Sequence, residues 1–149
     1  MAKITLQNIA HSYNPGAAEK KYALNPFDMT WVDGGRYAIL GPSGCGKSTM
    51  LNIMSGIVTP SEGKLLFDDV DVTNISTSER NIAQVFQFPV IYGTMTVEQN
   101  LAFPLVCRNY EKPVIAAKVH EVAEALSLQG LLKKSANKLT ADQKQLISL

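Results

Sequence analysis

Residues 41–48 have the residue types and the spacing of a loop that binds phosphate. Their sequence, GPSGCGKS, fits the pattern of a glycine, four residues of any type, and then Gly-Lys-Ser. Glycines let the backbone wrap closely around a phosphate group, and the helix that follows adds its positive end. Lys47 supplies a point charge for the outer phosphates, and the Ser48 hydroxyl can bind Mg²⁺. The segment therefore predicts binding of a nucleoside triphosphate with Mg²⁺.

The residues on either side of this loop indicate the elements that hold it. Residues 36–40, RYAIL, form a short apolar run, which suits a buried strand of a parallel sheet. From Lys47 onward, KSTMLNIMSGI has the apolar spacing of a helix, and Gly56 lies near its end. Further strands are predicted at residues 3–13, 22–32, 64–73 and 81–87.

The pattern becomes helical after Gln87. Thr96, with Gln99 three residues later, has the form of a helix start, and residues 76–79 have the spacing of another capping box. Proline is tolerated in the first turn of a helix, which suits a helix beginning near Pro113. Helices are predicted from Thr96 to Cys107, from Pro113 to Gly130 and from Thr140 onward.

The composition excludes several classes of protein. Hydrophobic residues make up 46% of the 149 residues and charged residues 18%, so a packed core is expected. The formal net charge is +1, which argues against nucleic acid as a partner. The two cysteines, Cys45 and Cys107, suggest a reducing compartment. No apolar run approaches the length that spans a bilayer, so we expect a cytoplasmic protein that reaches a membrane only through a partner.

From the phosphate loop outward, the chain resembles the ATP-binding subunit of an ABC transporter. The resemblance rests on GPSGCGKSTMLNIMSG, on PSEGKLLFDDVDVT, on ERNIAQVFQ and on MTVEQNLAF, which occur in the family's order. It implies an α/β fold: an incomplete P-loop NTPase core with an N-terminal β-subdomain at residues 1–87, and a helical subdomain at residues 88–149. QVFQFPVIYGTMTVEQNLAFPL and LTADQKQ resemble segments of the importers of sugars and polyols, in particular the glycerol-uptake subgroup.

The resemblance also assigns roles to individual residues. Tyr13 would stack on adenine, although an ordinary strand aromatic is the alternative. Lys47 and Gln87 would be catalytic, with Ser48 and Gln87 binding Mg²⁺; a solvated loop glutamine is the alternative for Gln87. The nucleotide, expected to be ATP, would be bound by Tyr13, Gly41, Pro42, Ser43, Gly44, Cys45, Gly46, Lys47, Ser48 and Thr49.

Residues 88–92, FPVIY, follow the glutamine directly. In the family this region lies against the transmembrane permease subunits, and an exposed apolar segment is costly unless a partner covers it. Packing inside the helical subdomain is the equally weighted alternative.

The chain departs from the family at its signature segment, which usually reads Leu-Ser-Gly-Gly-Gln. A carboxylate at position 142, in the first helical turn, is favourable to the helix but repels a triphosphate at the same helix end. The hypothesis is a weakened half-site that works beside a second, non-identical ATP-binding subunit. Alternatively, Asp142 turns away and Lys144 compensates. The signature-like residues are Leu139, Thr140, Ala141, Asp142 and Gln143.

The sequence also lacks the family's later Asp-Glu strand and its switch histidine. The chain is therefore expected to be an N-terminal fragment whose parent is an ATPase, and to be inactive alone because it lacks a general base. A GTPase would need a downstream Asn-Lys-x-Asp, which is absent, and a nucleotide kinase would need several lid arginines, where only Arg108 follows Gln87. A non-catalytic docking module for membrane subunits is the third interpretation.

Overall fold

The computed structural model describes residues 2–14, 16 and 21–149. The chain divides into two compact units, Met1–Gln84 and Val85–Leu149, and each is described by itself. The division lies close to residue 87, where the sequence pattern becomes helical.

The described residues of the first unit form a four-stranded antiparallel sheet and one helix. The elements are β1 (Ile4–His11), β2 (Leu24–Trp31), α1 (Lys47–Ser55), β3 (Glu62–Phe67) and β4 (Val70–Asp71). The strand order is β2-β1-β3-β4, so β1 is paired on both edges. The predicted strands at residues 3–13 and 22–32 and the predicted helix after the loop are confirmed. The predicted strand at residues 64–73 is two antiparallel strands, β3 and β4, joined by a turn at Asp68 and Asp69.

A bulge in β1 sets which residues face the core. Leu6 and Ile9 are both fully buried although they are three residues apart, because the register shifts between them and Asn8 adopts a left-handed backbone with φ 46°. Gly63 of β3 has φ 86° and lies against the backbone of Asn8, where a side chain would have no room. The bulge turns both side chains toward α1. The resulting core contains Leu6, Ile9, Leu24, Met50, Ile53, Met54, Leu65 and Val72.

Two predicted strands are wrong. Residues 36–40 and 81–87 have no strand structure, and the side chain of Leu40 is 90% exposed. A strand requires a neighbour for its N–H and C=O groups, and no described strand pairs with either segment. The residue types in these segments favour a strand, but they do not specify the neighbour with which it would pair.

The predicted capping box at residues 76–79 is also not the start of a helix. Its side chains do meet, since the Ser76 hydroxyl donates to Glu79 Oε2 at 2.6 Å. The backbone forms only turns, in which Glu79 N and Arg80 N donate to Ser76 O. The box pattern therefore stabilises a turn here, because no amphipathic helical segment follows it.

The second unit is helical. Its helices are α2 (Val97–Cys107), α3 (Lys112–Ala125) and α4 (Ala141–Ile147), with short 3₁₀ helices at Gln129–Leu131 and Ala136–Lys138. The predicted starts of α2 and α4 are confirmed, because Thr96 and Thr140 are N-caps with complete capping boxes. None of the described helices is long and apolar enough to cross a bilayer. The core of this unit contains Val97, Ala123, Leu128, Ala136, Leu139 and Ile147.

The predicted end of α3 at Gly130 is wrong. The helix stops at Ala125 because Ser127 takes a left-handed backbone, φ 56°, in the position usually held by glycine. Leu128 N then donates to Ala123 O at 2.7 Å, and Ser127 N donates to Glu124 O at 3.1 Å. These two bonds form a Schellman motif, which turns the fully buried Leu128 back into the core.

Candidate functional site

The phosphate loop depends on two glycines with a left-handed backbone. Gly44 has φ 81° and Gly46 has φ 93°, conformations that cost most other residues free energy. A Cβ atom on Gly46 would lie 2.7 Å from the carbonyl oxygen of Ala23, so this position has no room for a side chain. The sequence pattern therefore places glycine where both the backbone angle and the packing require it.

The N-terminus of α1 is left open to an anion. Gly46 is its N-cap and makes no side-chain cap, and the first turn contains no acidic residue. By contrast, α2 and α4 are capped by their own side chains and carry Glu98 and Asp142 in their first turns. The first N–H groups of α1, with its positive dipole end, can therefore serve an external anion.

Lys47 adds a full charge to this helix end. Its Nζ atom donates to the carbonyl oxygens of Gly41 at 2.8 Å and Pro42 at 2.7 Å, which holds the ammonium group against the loop. Lys47 and the exposed Ser48 both line a cavity of about 310 Å³. N–H donors, an ammonium group and a hydroxyl are the chemistry that fits a polyphosphate with its metal ion. The cavity is lined by Ala23, Ser43, Gly44, Gly46, Lys47, Ser48 and Thr49.

Tyr13 lies beside this cavity, just after the end of β1. Its hydroxyl is 3.2 Å from Thr49 Oγ1, and its ring meets the His11 ring edge-on with centroids 4.5 Å apart. The ring is 59% exposed, so Tyr13 is not a core aromatic. A second cavity, of about 200 Å³, is lined by Tyr13 and shares Ala23 with the first. A flat ring available for stacking is thus tied to the phosphate loop through Thr49.

Gln87 lies in the second unit, in a segment without regular structure, and is exposed. Residues 88–92 have two interpretations, an exposed surface for a partner and packing inside the helical unit, and each holds for different side chains. Phe88 and Val90 are 76% and 65% exposed, whereas Ile91 packs against the core of the unit.

Asn100 anchors this segment to α2. It is buried, accepts a hydrogen bond from Tyr92 N at 2.8 Å and donates to Tyr92 O at 3.1 Å. The ring of Tyr92 packs on that of Phe103, with centroids 4.5 Å apart. The segment is therefore fixed to the helical unit at Tyr92 while Phe88 and Val90 face outward.

The signature-like residues surround the start of α4. Leu139 is buried. The Thr140 hydroxyl accepts from Gln143 N at 3.3 Å, and the Gln143 side-chain oxygen accepts from Thr140 N at 3.2 Å. Asp142 is exposed in the first turn. Among the described residues no ion pair joins Asp142 to Lys144, which fits their spacing, since residues two apart lie on different sides of a helix.

Comparison with known proteins decides the family. The family model for ABC transporters matches residues 24–149, which is most of the chain. This chain belongs to the ABC transporter family. ABC ATPases in general bind ATP and use Mg²⁺.

Curated ABC relatives match along the whole chain. An uncharacterized ABC transporter ATP-binding protein, YurJ of Bacillus subtilis (strain 168), is 38% identical over 149 residues. The sn-glycerol-3-phosphate import ATP-binding protein UgpC of Escherichia coli (strain K12) is 36% identical, and the trehalose import ATP-binding protein SugC of Mycobacterium tuberculosis (strain ATCC 25618 / H37Rv) is 38% identical. The chain spans 39%, 41% and 37% of these three relatives, respectively.

Solved ABC cassettes confirm the mixed α/β fold. A dimeric cassette in a post-hydrolysis state, bound to ADP and Pi, matches with a TM-score of 0.83 and 26% identity, covering 97% of this chain and 66% of that one. A cassette of the CbiONQ complex of Clostridium perfringens matches with a TM-score of 0.81 and 25% identity, covering 97% and 58%. The P-loop NTPase fold expected from the sequence is therefore shown.

Sequence reasoning missed one residue of this ABC chain, Arg80. Its side chain is buried, with 6% exposure, and its guanidinium binds backbone carbonyls at the C-terminal end of α1. Burial lowers the pKa of Arg80 from its ordinary value, although an arginine stays protonated at neutral pH. No sequence signal marks it, because an arginine after a polar turn is usually solvated.

Proposed function

We propose that this chain is the nucleotide-binding part of an ABC importer's ATP-binding subunit. The observation that carries the proposal is the uncapped, positively charged start of α1, with Lys47 on the phosphate loop and the exposed ring of Tyr13 beside it. A charged cradle next to a stacking surface fits the two ends of ATP.

Each residue has a defined task in this proposal. Residues 41–49 surround the phosphates with N–H groups, and Lys47 neutralises charge on the outer ones. Ser48 binds Mg²⁺, and Tyr13 stacks on the adenine ring. Bound MgATP supplies the phosphoanhydride bond whose cleavage drives transport. No carboxylate is among the described residues that line the phosphate cavity.

The relatives support a proposal for the partners. ATP-binding subunits of ABC importers work with membrane permease subunits and dimerise. We therefore propose that this subunit lies at the inner face of the membrane, bound to permease subunits and to a second ATP-binding subunit. The exposed Phe88 and Val90 supply apolar surface for the permease contact. The names of UgpC and SugC favour a sugar or polyol derivative as the solute.

A binding titration tests the proposal. MgATP is added to the chain while the fluorescence of Trp31, the single tryptophan, or the heat of binding is recorded. We expect saturable binding, competed by ADP and weakened by the Lys47→Ala substitution. A chain that does not bind MgATP, or that binds it equally well without Lys47, would favour the docking-module interpretation.

Replacing Tyr13 with alanine should weaken ATP binding about tenfold, because stacking of a base on an aromatic ring contributes about 1–3 kcal/mol. Tyr13→Phe keeps the ring and loses only the bond to Thr49, so it should stay within about twofold of the unsubstituted chain. Inorganic triphosphate, which has no base, should bind all three proteins equally. Equal losses for ATP and triphosphate would contradict the stacking role.

We also propose that the start of α4 lies against the nucleotide held by the second ATP-binding subunit. Replacing Asp142 with asparagine should then raise ATP turnover of the assembled transporter, since it removes a negative charge from that helix end. We expect an increase of about tenfold if the carboxylate weakens the half-site. Glu98→Gln, in the equivalent turn of α2, is the matched control and should change nothing. Unchanged turnover for Asp142→Asn would contradict the electrostatic account and the need for a non-identical partner.

A further inference from the structure

The guanidinium of Arg80 connects two parts of the first unit. Its Nη1 atom donates to Ile53 O at 2.7 Å and to Met54 O at 3.1 Å, both in α1. Its Nε atom donates to Ile75 O at 2.8 Å, and its Nη2 atom donates to Thr73 O at 2.9 Å. One side chain therefore joins the C-terminal end of α1 to the segment that follows β4.

The carbonyl groups that Arg80 binds lie in the last turn of α1, where Ile53 O also accepts a hydrogen bond from Gly56 N at 3.1 Å. The last carbonyl groups of a helix carry its negative dipole end, which favours a cation beside them. Gly56, which ends the helix, leaves space for this contact, because a Cβ atom there would lie 2.8 Å from Arg80 Nε. Both the charge and the shape of the helix end fit a guanidinium.

The opposite end of the same helix is the phosphate cradle. The helix has nine residues, so its ends are separated by about 13 Å. An α-helix this short moves as a rigid rod, and a shift of its C-terminus therefore shifts Lys47 and the N–H groups of its first turn. A second contact supports the same helix, since Gln84 Nε2 donates to Asn52 Oδ1 at 3.4 Å.

We propose that Arg80 is a positioning residue for phosphate binding: it fixes α1 against the segment after β4 and so aims the phosphate loop, without touching the nucleotide. The inference rests on the proposed function. We expect Arg80 to affect the two ends of the ligand differently. Tyr13, which binds the base, is positioned by the end of β1, whereas the N–H groups that bind the phosphates are positioned by α1.

The test compares ATP with adenosine, which has no phosphate, on three variants of the chain. We expect Arg80→Met to weaken ATP binding about tenfold and to leave adenosine within about twofold, measured by calorimetry for ATP and by NMR titration for adenosine. Arg80→Lys should weaken ATP about threefold, because its single nitrogen cannot reach both groups of carbonyls. Arg36→Met, which removes an exposed arginine of the same unit, is the matched control and should change neither affinity.

The outcomes separate this inference from simple destabilisation. Titrations are run below the unfolding temperature of each variant, and Arg80→Lys keeps the comparison possible if Arg80→Met does not fold. The inference would be wrong if an Arg80 variant lost ATP affinity and adenosine affinity equally. It would also be wrong if both Arg80 variants kept full ATP affinity while Lys47→Ala lowered it. In either case the proposed function would still stand. Absence of ATP binding by the unsubstituted chain would overturn the proposed function, and this inference with it.

Discussion

Replacing Lys47 with alanine should lower the affinity of the chain for MgATP about one hundredfold. A hydrogen bond to a charged group contributes about 1.5–3 kcal/mol, and the ammonium group makes more than one such contact with the outer phosphates. Lys47 is the only charged side chain among the described residues that line the phosphate cavity, so no neighbour can replace it. Isothermal titration calorimetry of the two proteins measures the ratio directly.

Lys64→Ala is the matched control for that substitution. Lys64 lies in β3 of the same unit, is exposed, and is 3.9 Å from Asp71, so its removal changes the net charge equally but does not alter the cradle. Its MgATP affinity should stay within about twofold of the unsubstituted chain. Equal losses for Lys47→Ala and Lys64→Ala would mean that general charge attracts the nucleotide, and the cradle would have no specific role.

Replacing Ile53 with alanine should destabilise the first unit by about 3–4 kcal/mol, because it removes a fully buried side chain and leaves a cavity. Ile53 lies on the face of α1 that packs against the sheet, among Leu6 and Leu65. Urea unfolding followed by the fluorescence of Trp31 reports on this unit, since Trp31 lies in β2 and packs against the same core. We expect a lower midpoint with little change in slope.

Leu51→Ala provides the comparison on the same helix. Leu51 is 44% exposed, so its truncation should cost less than about 1 kcal/mol. If both substitutions lowered the midpoint equally, α1 would not be held through its buried face. This would contradict the claim that the core positions the phosphate loop through α1.

Several parts of the fold that the sequence predicts have local causes. The capping boxes at Thr96 and Thr140 predict two helix starts, because each pattern is satisfied within a few residues. The phosphate loop is equally local, since its glycines are required by their own backbone angles at Gly44 and Gly46.

The predictions that the structure contradicts depend on distant parts of the chain or on a pattern that several residue types can satisfy. Residues 36–40 and 81–87 have residue types that favour a strand, but strand formation depends on a neighbour that a local pattern does not specify. The sequence predicts the end of α3 at Gly130 because glycine usually takes the left-handed position, which Ser127 takes instead. The sequence does not reveal the role of Arg80, because its partners are backbone carbonyls, among them those of Ile53 and Met54.

The central claim is that ATP binds with its phosphates on the N–H groups at the start of α1. An NMR titration of the ¹⁵N-labelled chain with MgATP tests it most directly, because each amide reports its own surroundings. The account predicts that the amides of residues 43–49 shift most, that the ring signals of Tyr13 shift with them, and that Lys47→Ala suppresses both changes. Shifts confined to the second unit, or spread evenly over the chain with residues 43–49 unaffected, would contradict it.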